Sequence, residues 1–164
     1  MQENNLINFI DLTESLLKMV LSWRNEESIR LWMHNKDIIT IEEHLKFVNS
    51  LKNSKDKKYF LVKSGYEYIG VLDFTKIDII TKTTELGVYV NPKLHKKGYG
   101  KIILNSGIQY ALSGLGMKKV KIEVYKDNLR AIRLYESCNF VRTMERIIDN
   151  KILICMELNL NMIK

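Results

Sequence analysis

Two cysteines and one proline are all that this 164-residue chain carries of those types, and no apolar run is long enough to cross a bilayer. Cys138 and Cys155 are too few for a disulfide framework and lack metal-ligand spacing. No metal is therefore expected, both thiols should be inert packing groups, and a reducing cytoplasm is the expected setting. The opening MQENNLINFI has no basic leader before an apolar core, so neither secretion nor membrane attachment is expected. There is no Pro-, Gly- or Ser-rich linker, repeat or low-complexity block, and 46% of the residues are apolar against 27% charged. Residues 1–164 should therefore form one domain with a core of its own.

Acidic side chains are also in short supply, 19 against 26 basic ones, which leaves a net charge of +7. A basic balance predicts anionic partners. The sequence lacks zinc-finger spacing, a recognition-helix signature and a glycine-aromatic RNA motif, so nucleic acid is not expected. A polyphosphate cofactor or nucleotide substrate fits the lysines near residues 93–101 better, while Lys52 to Lys58 reads as a solvated helix end and loop.

What the chain does contain is an alternation of strand-like and helix-like runs, an α/β or α+β pattern. A strand is expected over 6–12 and helices over 14–24 and 26–33. A third helix is capped by Thr40 with Glu43 completing a capping box, and carries the stripe Ile41, Leu45, Val48 and Leu51. Strands follow over 58–64, 68–77 and 83–90, with Ser64-Gly65 as a turn signal. A helix from Lys101 to near Gly116 presents Leu104, Ile108, Ala111, Leu112 and Leu115 on one face. Residues 119–125 alternate as a strand, 128–138 are helical, and strands 140–148 and 151–160 turn about Asp149-Asn150.

The chemistry starts at His95-Lys96-Lys97-Gly98-Tyr99-Gly100, between the strand closed by Asn91-Pro92 and the helix opening at Lys101. Two glycines at i and i+2 let backbone N–H groups converge on an anion, and the helix adds its free N–H groups and positive dipole end. His95, Lys96 and Lys97 add donors or charge for the same oxygens. Gly87 interrupts a strong strand, which predicts a bulge or a close approach to a ligand. On the helix 128–138, Asn128 and Tyr135 fall about 20° apart, with small Ala131 between them and Arg130 and Arg133 to the other side. Spacing alone favours Asn128 as a helix cap and Tyr135 as a core tyrosine.

VYVNPKLHKKGYGKIIL followed by KIEVYKDNLRAIRLYESCNF resembles the two signature segments of the GNAT superfamily of acetyl-CoA-dependent N-acetyltransferases, over nearly the whole chain. His95 stands where the family's Q/R-x-x-G-x-G/A loop begins with Gln or Arg, and Asn139-Phe140 replaces the usual Gly-Phe. The resemblance implies a mixed, mostly antiparallel sheet splayed between two parallel strands and flanked by helices. It implies acetyl-CoA along Val88, Tyr89 and Val90, its pyrophosphate held by residues from His95 to Lys101, and its pantetheine arm bonded by Asn128 beside Ala131. Tyr135 would protonate the departing thiolate, a backbone N–H beside Gly87 would stabilise the oxyanion, and Glu123 would be the base.

The N-terminal half, from LSWRNEESIRLWM through ELGVYVNP, is similar to the acetyltransferases of bacterial pseudaminic acid synthesis. That likeness implies an acceptor that is a UDP-linked 4-amino-4,6-dideoxy sugar, used for flagellin glycosylation, with Thr75, Lys76 and Tyr89 as contacts. Independently, Arg24 shares a stripe with Leu17 and Val20, and His44 with Val48 and Leu51, so two polar heads point inward. An anionic diphosphate would partner Arg24, and so would an internal acid. A protein N-terminal amine as acceptor and a non-catalytic acyl-CoA sensor are the alternatives, and a homodimer is allowed.

Overall fold

Seven strands form one sheet in the order β1-β2-β3-β4-β5-β7-β6 in the computed structural model, which describes residues 4–163. The strands are β1 Asn4–Asn8, β2 Lys58–Ser64, β3 Glu67–Asp78, β4 Thr83–Val90, β5 Lys119–Tyr125, β6 Val141–Ile148 and β7 Lys151–Asn159. The helices are α1 Glu14–Asn25, α2 Glu27–Arg30, α3 Ile41–Leu51, α4 Tyr99–Gln109 and α5 Leu129–Ser137. Neighbouring strands are antiparallel except β4 and β5, which run parallel.

Strand alternation sorts the side chains into two layers. Phe60, Leu72, Phe74, Leu86, Val120, Ile122 and Val124 pack with α4 and α5 on one face. Leu61 and Val71 pack with α1 and α3 on the other. Within β3, Asp73 lies between Leu72 and Phe74 and so shares the second face with Val71. By the same alternation Gly87 and Glu85 share that face with Tyr89, and Glu123 lies opposite Ile122 and Val124.

The feature that positions the site is how briefly β4 and β5 pair. Their register runs only through Thr83↔Lys119, Thr84↔Val120 and Glu85↔Lys121. Beyond Glu85 the two strands part, and the β5-facing edge of Leu86 to Val90 has no ladder partner among the described residues. An unpaired row of backbone N–H and C=O groups inside a sheet is a template for an extended ligand.

Several expectations need correction. β1 ends at Asn8, not at residue 12, because the Asn8 side chain accepts from the Ile10 N–H at 3.2 Å and caps a 3-10 turn over Phe9–Asp11. The second helix is one turn, Glu27–Arg30, in place of 26–33. The chain then tightens into i→i+3 bonds, Trp32 N to Ile29 O and Met33 N to Arg30 O, and Arg30 Nη1 holds the Lys36 carbonyl at 3.0 Å. Gly87 carries no bulge: it pairs in register with Asp73, and the irregularity of this strand pair lies between Thr75 and Asp78. α4 starts two residues early and ends in a π-helical turn, Tyr110–Gly114, with Leu115 N bonded to Tyr110 O at 3.0 Å. The Thr40 and Glu43 capping box and the Asp149-Asn150 turn, with φ of 49° and 60°, stand as expected.

Candidate active site

Gly98 is the N-cap of α4 at φ +81°, a left-handed conformation that disfavours a Cβ, and no side chain caps the helix. The first-turn N–H groups of α4 therefore point out of the helix without a partner among the described residues. Around Gly98 there is open space, with nothing within 4 Å of where its Cβ would stand. A Cβ on Gly100 would meet Leu134 Cδ2 at 3.2 Å and Val90 Cγ2 at 3.6 Å, so this glycine lets α4 lie close to α5 and β4. Lys96, Lys97 and Lys101 are exposed around the cradle, His95 is half-buried, and Tyr99 donates to Glu67 Oε2 at 2.7 Å, tying the loop to β3. These residues suit a pyrophosphate: a backbone nest on a helix dipole, with mobile cations at its rim.

The cradle stands just beyond the end of the β4 edge that β5 has left. On the α4–α5 face, Tyr135 is 7% exposed and packed in the core with Phe140. Burial pushes its hydroxyl up to about 12, and the Asp73 charge adds to the shift. Tyr135 is thus fully protonated at neutral pH, a donor and not a base. Asn128 is both cap and free donor. Its Oδ1 accepts from Ala131 N at 3.3 Å, while its amide NH₂ has no partner among the described residues.

The opposite face holds a residue that sequence reasoning passed over. Asp73 pairs across the sheet with Gly87, and a Cβ on Gly87 would sit 2.5 Å from its Oδ2. Its carboxylate is densely surrounded yet part-accessible, as a group on a cleft floor is, and accepts no hydrogen bond or ion pair from the described residues. Burial raises its pKa to about 7, with the charge of Glu85 as the second cause. Tyr59 and Tyr89 share its surroundings, and burial, then Asp73, shifts both phenols upward. Glu85 is held by Lys76 Nζ at 2.8 Å, and Lys76 sits in the β3 irregularity at φ 48°. The neighbouring Thr75 carbonyl accepts from the buried Thr84 hydroxyl at 3.0 Å. The signal for Asp73 was there: it is the one charge inside the apolar run IGVLDF.

At the outer end of this face, Glu123 is clamped. Arg146 Nη2 of β6 bonds its Oε1, and His34 Nε2 of the 31–39 loop lies 3.4 Å from its Oε2. Arg24 is half-buried, as expected, but its guanidinium donates to the carbonyls of Asn35 at 2.6 Å and Asp37 at 3.1 Å, holding the same loop. Burial lowers its pKa, with Tyr89 and Asp37 opposing and Arg30 adding. His44 is 6% exposed, and its Nε2 has no partner among the described residues. Burial lowers its pKa, and the Arg24 charge adds to this against a Leu17 backbone interaction. Lys36 Nζ bonds the Tyr125 hydroxyl at 3.0 Å, and Lys151 lies 5.5 Å from the same ring. His34, Lys36, Asp37, Tyr125, Asp149 and Lys151 line an open groove of about 400 Å³ between the loop and the β6–β7 hairpin.

A sheet opened between two parallel strands, a glycine-capped helix at the end of the gap and a buried tyrosine on the face that α4 and α5 cover suit acyl transfer from a pyrophosphate-bearing cofactor. The profile of the acetyltransferase (GNAT) family matches residues 17–140. The chain belongs to the GNAT acetyltransferases. It is 40% identical over 135 residues to acetyltransferase PseH of Campylobacter jejuni strain 81-176, covering 82% of this chain and 83% of that protein. The crystal structure of Campylobacter jejuni N-acetyltransferase PseH in complex with acetyl coenzyme A superposes with a TM-score of 0.75 at 31% identity, covering 96% and 99% of the two chains. Spermidine N-acetyltransferase of Vibrio cholerae, solved with CoA and spermine, superposes with a TM-score of 0.87 at 19% identity over 96% of each chain, a likeness of fold alone.

Among the described residues no helix is long and apolar enough to cross a membrane, and no group of three or more His, Cys, Asp or Glu side chains could hold a metal.

Proposed function

We propose that this GNAT enzyme transfers the acetyl group of acetyl-CoA to the 4-amino group of a UDP-linked 4-amino-4,6-dideoxy sugar, the acetylation step of pseudaminic acid synthesis. The observation that carries the reading is the unpaired β4 edge ending at the Gly98 cradle, in a chain 40% identical to PseH over most of its length. Acetyl-CoA extends along Val88, Tyr89 and Val90, and its pyrophosphate meets the N–H groups from Gly98 to Lys101 with His95, Lys96 and Lys97 at the rim. The Asn128 amide donates to the pantetheine arm beside Ala131.

Tyr135 keeps its proton until the thiolate leaves, and a buried phenol next to the sulfur supplies it without recruiting water. The acceptor enters by the groove between the 31–39 loop and the β6–β7 hairpin. Arg24 keeps that loop in place and offers its remaining N–H groups to phosphate oxygens, and His44 offers its unpartnered Nε2. Thr75, Lys76 and Tyr89 border the sugar. Glu123 lies at this mouth, with its oxygens already engaged by Arg146 and His34. The protein works in the cytoplasm on a small-molecule partner, without nucleic acid or membrane.

CoA release measured with the UDP-linked 4-amino sugar, spermidine and a peptide N-terminus tests the reading. Turnover at least about 100-fold more efficient on the sugar nucleotide, a free-energy preference of roughly 2.7 kcal/mol, is expected. Preference for the peptide or the polyamine would overturn it.

A further inference from the structure

We propose that the carboxylate of Asp73 receives the proton that the acceptor's ammonium must shed, acting from the face of the sheet opposite Tyr135. Gly87 is the first residue on the acceptor face beyond the last β4–β5 pair, so it marks the rim of the opening. Asp73 is its cross-strand partner and lies against the space where a Cβ would stand, 2.5 Å from Oδ2. Gly87 thus serves the carboxylate: any larger residue would push it away. The two other carboxylates on this face of the central strands are committed, Glu85 to Lys76 and Glu123 to Arg146 and His34. Asp73 alone of the three has no donor or cation against it among the described residues.

The titratable groups around it are Tyr59 of β2 and Glu85 and Tyr89 of β4, with Arg24 of α1 behind Tyr89, while Tyr135 of α5 lies on the other face of the sheet. Burial, and secondarily the Asp73 charge, raises the Tyr135 hydroxyl, so the acid on the α4–α5 face keeps its proton while Asp73 on the other face can take one. A carboxylate poised near neutrality is suited to the task, because it can take a proton from an ammonium and return it to water.

The steps balance as follows. R–NH₃⁺ gives one proton to Asp73. The neutral amine attacks the thioester carbonyl carbon, the C–N bond forms and the C–S bond breaks. Tyr135 gives its proton to sulfur and recovers one from the newly acylated nitrogen. Asp73 releases its own to solvent.

Asp73→Asn preserves the side chain's size and removes the base. At pH 7, kcat/KM for an amine acceptor should fall about 10²- to 10⁴-fold with the affinity for acetyl-CoA unchanged. The rising limb of the pH–rate profile near pH 7 should disappear, and Asp73→Glu should recover part of it. Glu123→Gln should keep that limb. A folded Asp73→Asn enzyme with the wild-type rate and pH profile would overturn the assignment, as would a uniform loss that leaves the limb in place. Asp73's role requires an amine acceptor but no particular sugar, so ¹³C NMR of aspartate-labelled wild-type protein, which needs neither acceptor nor variant, gives an independent reading. The Asp73 carboxyl carbon should titrate near pH 7, and titration near pH 4 would overturn the proposal.

Discussion

Asp73 should leave its mark on folding stability as well as on rate. Its carboxyl moves from 3.8 to about 7 on folding, mostly through burial and secondarily through Glu85. Three units at 1.36 kcal/mol each give about 4 kcal/mol, and partial access to water reduces the expected value to about 2–4 kcal/mol. The sign follows from the direction of the shift. A carboxyl raised in the folded state favours folding in its protonated form, so its contribution is complete below about pH 4, declines as pH rises, and is gone above about pH 7. Asp73→Asn has no such titration. Urea unfolding of both proteins at pH 5, 6, 7 and 8 isolates the effect, since the other titrating groups cancel in the difference. The asparagine variant should be the more stable at pH 8, and its advantage should shrink by up to about 1.4 kcal/mol per pH unit toward pH 5. A difference independent of pH, or one that grows toward acid, would refute the picture of an unpartnered carboxylate on the cleft floor.

Other perturbations separate the two halves of the site. Gly98→Val forces a β-branched residue to φ +81°, which costs roughly 1–2 kcal/mol of strain, and should reduce acetyl-CoA affinity at least about tenfold by calorimetry while circular dichroism stays native. Tyr135→Phe should lower kcat by about 10²- to 10⁴-fold and leave the acetyl-CoA dissociation constant alone; an unchanged kcat across pH would assign proton delivery to water. Arg24→Ala frees the carbonyls of Asn35 and Asp37 and should raise the acceptor KM by about 10- to 100-fold, from a charge-assisted bond of roughly 1.5–3 kcal/mol, without changing acetyl-CoA binding. A change confined to kcat would place Arg24 at the reacting amine.

Elements governed by local chemistry could be read in the sequence. β2 and β4 begin and end where the alternation of β-branched and aromatic residues does, and Thr40 with Glu43 closes its capping box because both partners lie within one turn. The cradle was legible for the same reason: glycine spacing before a helix is a local signal. Features set by distant partners were not. α2 stops after one turn because Arg30, Arg24 and Asn25 bind carbonyls six to fourteen residues away and draw the chain into a loop. Gly87 suggested a bulge, but its reason is the Asp73 carboxylate across the sheet, a pairing that only the register reveals. Glu123 was singled out by the family resemblance, whereas its clamp by Arg146 and His34 arises from a hairpin and a loop far along the chain.

The most direct test of the central claim offers the enzyme the UDP-linked 4-amino sugar and the same sugar without UDP, with acetyl-CoA saturating, and compares kcat/KM for N-acetylation. If the groove beside the loop that Arg24 holds recognises the nucleotide diphosphate, the free sugar should be poorer by at least about 100-fold, the value of one to two charge-assisted hydrogen bonds. Equal efficiency on both sugars would contradict a nucleotide-sugar acceptor.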